Sequence, residues 1–201
     1  VAGPPPLHVA TANEIHIPTG RYVDIVVTTA DVIHSFWIPG LHGKTDLIPG
    51  RQNRIRLRAE KPGIYRGQCA EFCGANHAKM ILALVAQPPD EYDAWLDHQR
   101  EPAAPPVTTV AIRGKRLFVE GPCALCHTIR GTDARGGVGP DLTHLASRDR
   151  IASNYLENNR ANLSAWVIHA QSFKPEVAMP NLTMFEGEEL RALVTYLEQL
   201  E

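Results

Sequence analysis

The sequence has no apolar run long enough to cross a membrane. Its longest unbroken stretch, Met80 to Ala86, is seven residues, against the roughly 20 that a bilayer-spanning helix needs. The opening residues, Val1-Ala2-Gly3-Pro4-Pro5-Pro6, do not read as a signal peptide. An excess of one charge is also missing: 20 basic and 22 acidic residues leave a net charge of −2. That removes the electrostatic basis for holding nucleic acid, so none is expected as a partner. Each half of the chain is close to neutral, and any electrostatic docking must come from local patches. A disordered or fibrous chain is excluded by 44% hydrophobic and 21% charged residues, both near the globular norm. Cysteine is scarce, with four residues, as is methionine, with three. Their positions are therefore informative.

The cysteines form two close pairs, Cys69/Cys73 and Cys123/Cys126, one in each half of the 201 residues. A chain of this length holds one large domain or two small ones. The boundary is expected in Glu101-Pro102-Ala103-Ala104-Pro105-Pro106-Val107, because a Pro/Ala run favours polyproline II, a semi-rigid spacer. This predicts a first domain over 1–100, a linker over 101–107 and a second domain over 108–201.

The first half reads as β. Asn13–Ile17 and Arg54–Arg58 alternate apolar with polar residues, and Tyr22–Thr29 is rich in β-branched ones. Turn signals punctuate them at Pro18-Thr19-Gly20, Pro39-Gly40, Pro49-Gly50 and Lys61-Pro62-Gly63. Regular punctuation of short strands predicts a β-sandwich of Greek-key type, closed by a short helix over Asp90–Arg100. The second half reads as α. Leu190, Leu193, Val194, Leu197 and Leu200 fall at helical spacing behind an acidic first turn, and Ala111–Glu120 is a shorter candidate helix.

Cys123-Ala124-Leu125-Cys126-His127 is the C-x-x-C-H pattern of covalent haem c attachment. One helical turn places both sulfurs where they can add to the two vinyl groups of a porphyrin, with the next residue under the iron. A thioredoxin-type dithiol would want a β-α-β setting, and zinc would want a second C-x-x-C; neither is seen. The sixth iron ligand must come from downstream, where Met179, Met184, His144 and His169 are the candidates. The order Gly139-Pro140-Asp141-Leu142, Lys174-Pro175, Met179-Pro180 and then an amphipathic helix resembles class I cytochromes c. The resemblance implies an all-α domain in which Pro140 lends its carbonyl to His127 and Met179 is the sixth ligand. Methionine–histidine ligation fills both axial positions, so such an iron transfers electrons. Met184 is the rival, and His144 and His169 read as surface histidines.

The other pair lies in Cys69-Ala70-Glu71-Phe72-Cys73-Gly74-Ala75-Asn76-His77-Ala78-Lys79-Met80. Two thiols, an imidazole and a thioether at this density suit copper. On residues alone, zinc and a Cys69–Cys73 disulfide stay open. The wider pattern resembles subunit II of cytochrome c oxidase. It comprises Asp31-Val32-Ile33-His34-Ser35-Phe36-Trp37-Ile38-Pro39, then Lys44-Thr45-Asp46-Leu47-Ile48-Pro49-Gly50-Arg51, then the cysteine loop, in a match over about 11–98. This implies an all-β cupredoxin-like Greek-key barrel with a binuclear CuA centre. Cys69 and Cys73 would bridge the coppers, His34 and His77 would cap one each, Met80 would be a weak axial ligand and Glu71 would offer its carbonyl. The Glu71 side chain would reach a magnesium site shared with subunit I.

Subunit II normally starts with two transmembrane helices and a tryptophan-rich segment, and neither is seen here. The resemblance thus implies a piece whose membrane anchor lies upstream or was removed. Trp37 is either a stand-in for the tryptophan-rich segment or a packed core residue. His8, His16, His42 and His98 read as ordinary residues. Arg54, Arg56 and Arg58 read as the solvated face of a strand more readily than as a docking surface, whereas Arg51 is placed to face subunit I.

A CuA domain followed by a cytochrome c resembles subunit II of bacterial oxidases that carry their own haem c. Expected is the electron-input part of a proton-pumping cytochrome c oxidase at the periplasmic, outer face of a bacterial inner membrane. Electrons would pass from a donor cytochrome or other carrier through haem c and CuA to subunit I, where oxygen is reduced. The piece itself would transfer electrons only. Two alternatives are a CuA-containing nitric oxide reductase subunit and a free-standing periplasmic electron carrier.

Overall fold

In the computed structural model, residues 9–185 and 187–201 are described. The readings of His8 and of the first six residues lie outside them. By packing, the chain forms two compact units. One comprises residues 13–92 with 148–187; the other comprises 93–147 with 188–201 and the described residues before 13. This partition cuts across chain order, since 148–187 packs with the first half.

The first unit is built on seven strands. β1 (Glu14–Pro18), β2 (Val23–Val27), β3 (His34–Trp37), β4 (Thr45–Leu47), β5 (Asn53–Leu57), β6 (Gly63–Cys69) and β7 (Ile81–Gln87) follow the predicted turns. Five make a mixed sheet in the order β1-β7-β6-β3-β4, and β2 pairs with β5 as a separate ribbon. Only β1 and β7 run parallel; the other pairs are antiparallel. The result is a curled half-barrel of the cupredoxin kind. The alternation read in β5 is real, with Ile55 and Leu57 buried and Arg54 and Arg56 exposed. Those inward residues join Ile17, Phe36, Ile38 and Leu84 in the core. β7 is apolar almost throughout because it lies between β1 and β6. Gly67 in β6 has no room for a side chain, since a Cβ would come within 2.4 Å of the Trp37 carbonyl.

The same unit includes a two-stranded ribbon, β8 (Arg150–Ile151) and β9 (Leu156–Glu157), and α4 (Arg160–Phe173). Asn159 caps α4, its Oδ1 accepting from the Asn162 amide at 2.9 Å. The ribbon is an addition to the helical part that the sequence pattern does not announce.

The second unit is helical. α1 (Pro89–His98), α2 (Thr109–Glu120), the single turn α3 (Cys123–Cys126) and α5 (Gly187–Leu197) lie close to the expected positions. Thr108 caps α2 through its Oγ1 and the Ala111 amide. α2 meets α5 where Gly114 faces Ala192, and Phe118 stacks edge-on against Tyr196 at 6.2 Å. Residues 101–107 contain no helix or strand. Their first part is nevertheless tied down, with the Ala103 amide bonded to the Arg130 carbonyl at 3.0 Å. One expectation is corrected here. His144 is not a surface residue but is 3% exposed. Its Nδ1 lies 2.7 Å from the Glu201 carbonyl and its Nε2 3.1 Å from the Glu101 carbonyl, and the neutral ring, with one N–H, donates to one of the two.

Candidate metal and haem sites

Antiparallel pairing of β3 with β6 sets Phe36 opposite Cys69. His34, at the start of β3, therefore stands at the sheet end where β6 releases the cysteine loop. The Ala70 amide bonds to the Ser35 carbonyl at 3.0 Å, carrying the ladder one residue past the strand. A bond from the Cys69 amide to the Met80 carbonyl, also 3.0 Å, closes the loop at its base. Within the loop His77 opens a 3-10 turn over His77–Lys79, and its amide bonds to the Gly74 carbonyl. Gly74 has φ +118°, a conformation that glycine adopts without penalty.

These constraints bring all six copper-site candidates together. The Cys69 and Cys73 sulfurs are 3.7 Å apart. His34 Nδ1 lies 3.9 Å from the Cys69 sulfur and His77 Nδ1 3.6 Å from the Cys73 sulfur. The Glu71 carbonyl is 3.1 Å from the Cys69 sulfur, and Met80 Sδ is 3.9 Å from the Cys73 sulfur. Both thiols are free. His34, Cys69 and Cys73 form the single metal-capable cluster found among the described residues. Two thiols, two imidazoles, a thioether and a carbonyl are a soft, mixed donor set that fits copper.

The surroundings favour one thiolate first. Burial opposes ionisation of Cys69, but bonds at Ser35 and Glu71, then His34 and His77, outweigh it and bring its pKa down to about 7. Burial and then the neighbouring Cys69 push Cys73 up to about 11. Behind His34 stands a residue that sequence reasoning missed. Asp31 Oδ1 is 2.8 Å from His34 Nε2, and the Thr29 hydroxyl donates to the same carboxylate at 2.6 Å. Thr29 and then His34 hold the Asp31 carboxyl at about 2. Burial opposes a charge on the His34 ring, yet Asp31 and then Cys69 raise its pKa above the ordinary histidine value. The signal was the Asp-x-x-His spacing inside a segment already singled out.

The second site lies in the helical unit. The turn α3 carries both cysteines, and the His127 amide closes it on the Cys123 carbonyl at 2.9 Å. His127 Nδ1 is 2.8 Å from the Pro140 carbonyl. With Nδ1–H donating there, the Nε2 lone pair is left for iron. Gly139 packs flat on this ring, since a Cβ would fall 2.4 Å from His127 Cε1. Burial pushes the Cys123 thiol up to about 11, and Leu125 and Val138 are both exposed. Free thiols, a histidine with its outer nitrogen committed and uncovered apolar side chains fit a covalently held porphyrin. Met179 belongs to the other unit. There it is half-buried, and its carbonyl accepts from Gln171 Nε2 at 2.7 Å. Met184 is 61% exposed and His169 is exposed.

Fold and sites together define a cupredoxin-like copper domain followed by a cytochrome c domain in one chain. Residues 6–87 match the family described as cytochrome c oxidase subunit II, periplasmic domain, and residues 111–201 match cytochrome c. The chain thus combines a segment similar to the subunit II periplasmic domain with a segment similar to cytochrome c. It is 40% identical over 189 residues to cytochrome c oxidase subunit 2 of Alkalihalophilus pseudofirmus, covering 94% of this chain and 54% of that one. With the same protein of Bacillus sp. PS3 it shares 32% over 208 residues, covering 98% and 58%. The chain thus spans a little over half the length of these relatives. Among solved structures, the periplasmic domain of subunit II of cytochrome oxidase of Bradyrhizobium japonicum is 36% identical. It covers 48% of this chain and 70% of that one with a TM-score of 0.43. No helix among the described residues is long and apolar enough to cross a membrane.

Proposed function

We propose that this chain is the electron-input module of a haem-copper terminal oxidase, positioned at the periplasmic face of a bacterial inner membrane. In this reading 1–100 is the copper domain, 101–107 the linker and 108–201 the cytochrome c domain. Copper and haem, when bound, supply one-electron redox chemistry between a donor cytochrome or similar carrier and subunit I, which reduces oxygen and pumps protons.

The observation that carries the reading is the paired symmetry of the copper donors. Each sulfur has its own imidazole nitrogen, at 3.9 Å on Cys69 and 3.6 Å on Cys73, while the sulfurs are 3.7 Å from each other. A single-metal site needs one imidazole set around one centre, whereas this arrangement offers two half-sites, each with its own imidazole, that two thiolates would join. Backbone bonds close the loop at its base, which would keep the donors nearly fixed. Glu71, whose side chain is exposed, is assigned to a magnesium site shared with subunit I. Cys123 and Cys126 would bind a porphyrin covalently, His127 and Met179 would hold its iron, and the Pro140 carbonyl would fix the His127 tautomer.

Metal titration tests the reading. Reconstitution of the reduced, haem-loaded chain should saturate at two coppers per chain, with a pyridine haemochrome spectrum of c-type haem. Saturation at one copper, or tight zinc binding in its place, would contradict it.

A further inference from the structure

The copper loop carries two side chains that offer no ligand and yet reach far along the chain. Asn76, beside His77, donates through Nδ2 to the Pro175 carbonyl at 2.5 Å, across 99 positions. Lys79, between His77 and Met80, donates through Nζ to the Phe173 carbonyl at 2.5 Å, across 94 positions. Both acceptors sit at the end of α4, and all four residues belong to one compact unit. Phe173 is the last residue of α4, so its carbonyl has no amide partner within the helix. A cation is also favoured there by the helix dipole. Lys79 thus caps α4 from outside while its ammonium lies 5.4 Å from the Tyr155 ring centre. The Asn76 Oδ1 is buried without a partner, so the Nδ2 bond is what orients that amide.

A second set of contacts holds the same stretch of chain. Asn154 Nδ2 donates to the Asn13 carbonyl at 2.5 Å and the Asp149 amide to Glu14 Oε1 at 3.3 Å. Lys174 Nζ donates to Ser153 Oγ at 2.8 Å. Ala152, Ser153 and Asn154 have φ values of 55°, 59° and 60°. Three successive non-glycine residues in the left-handed region persist only where their surroundings impose it.

We propose that Asn76 and Lys79 are a latch that fastens the copper loop to the end of α4, the segment that leads through Lys174 to Met179. They are positioning residues for electron transfer: the loop that presents His77 and Met80 also grips the chain that carries the assigned haem ligand. The latch rests on the electron path proposed above and adds to it a hydrogen-bonded mechanical link in place of a free encounter between tethered parts.

The test uses the full haem- and copper-loaded chain with Asn76→Ala and Lys79→Met combined, and Lys79→Arg as the conservative control. Copper paramagnetic resonance and haem absorption monitor the two centres. Amide exchange at Lys174 and Val177 reports the latch, and flash photoreduction of the haem reports transfer to copper. The latch predicts unchanged spectra, exchange faster by about tenfold or more in the double variant, and transfer slowed severalfold. Lys79→Arg, which keeps a cationic donor, should stay near wild type in both. Wild-type exchange and transfer in the double variant would overturn the proposal, as would an arginine variant as impaired as methionine. No haem-to-copper transfer in the unaltered chain would count against the electron path itself, and exchange would still decide the latch.

Discussion

Asp31 and His34 form a carboxylate–imidazole pair at 2.8 Å, and the other nitrogen of that ring points to the Cys69 sulfur at 3.9 Å. The carboxylate thereby selects the tautomer, leaving Nδ1 free as a metal donor. Both residues precede the cysteine loop by more than thirty positions and reach it only through β3–β6 pairing. Asp31→Ala removes the partner without touching a ligand. Copper affinity should fall by about 10- to 100-fold, read by competition with a chelator, while Asp31→Asn should lose less.

Gly139→Ala asks for a Cβ 2.4 Å from His127 Cε1. The ring must tilt or the 139–140 backbone must shift, and the bond to the Pro140 carbonyl goes with it. Reduced covalent haem content or a disturbed low-spin spectrum is expected, with folding of the copper domain intact by circular dichroism.

Gly114→Ala places a Cβ 2.0 Å from the Ala192 carbonyl, at the crossing of α2 and α5. Backbone cannot yield as a side chain can. Overpacking of this kind costs about 1–3 kcal/mol, which thermal unfolding would register as a lower Tm. By contrast, Arg56→Ala breaks an exposed pair with Asp24 and should leave the Tm nearly unchanged.

Burial lowers the pKa of His144 below the ordinary histidine value, against the pull of the Glu201 and Glu101 carbonyls, with His98 and Arg130 adding to the lowering. Between the lowered folded value and the unfolded value near 6.5, the unfolded chain binds the extra proton. Stability therefore falls as pH drops below about 6.5 and levels off once the folded value is passed. His144→Gln should flatten this part of the Tm–pH curve. An unchanged slope would mean that other groups set it.

The cluster of proposed copper donors is legible in the sequence because five of the six fall within twelve consecutive residues, and the segment around His34 carries its own pattern. The proposed haem attachment is legible for the same reason: one turn of helix holds both cysteines. Legibility fails where position depends on pairing between distant strands or on burial. Asp31 backs the His34 ring from three residues away, but where that pair stands relative to Cys69 depends on the alignment of β3 with β6, which nothing local records. His144 reads as a surface histidine, yet it and Thr143 are buried: the His144 ring faces the Glu101 and Glu201 carbonyls, and Thr143 Oγ1 accepts from the Arg130 amide and donates to the Asp141 carboxylate. The ribbon β8–β9 is too short to show alternation. Its turn uses alanine, serine and asparagine in left-handed conformations rather than the glycine that would have marked it. The packing of 148–187 with 13–92 rests on single contacts such as Lys79 to Phe173, which no periodicity records.

The most direct measurement is the paramagnetic resonance spectrum of the purified chain after copper reconstitution, taken beside its optical spectrum. One unpaired electron shared equally by two copper nuclei is expected, with thiolate-to-copper absorption and c-type haem bands. A spectrum of isolated, single copper ions, or haem bands with no copper signal in a fully metallated sample, would contradict the two-thiolate, two-histidine copper centre on which this account depends.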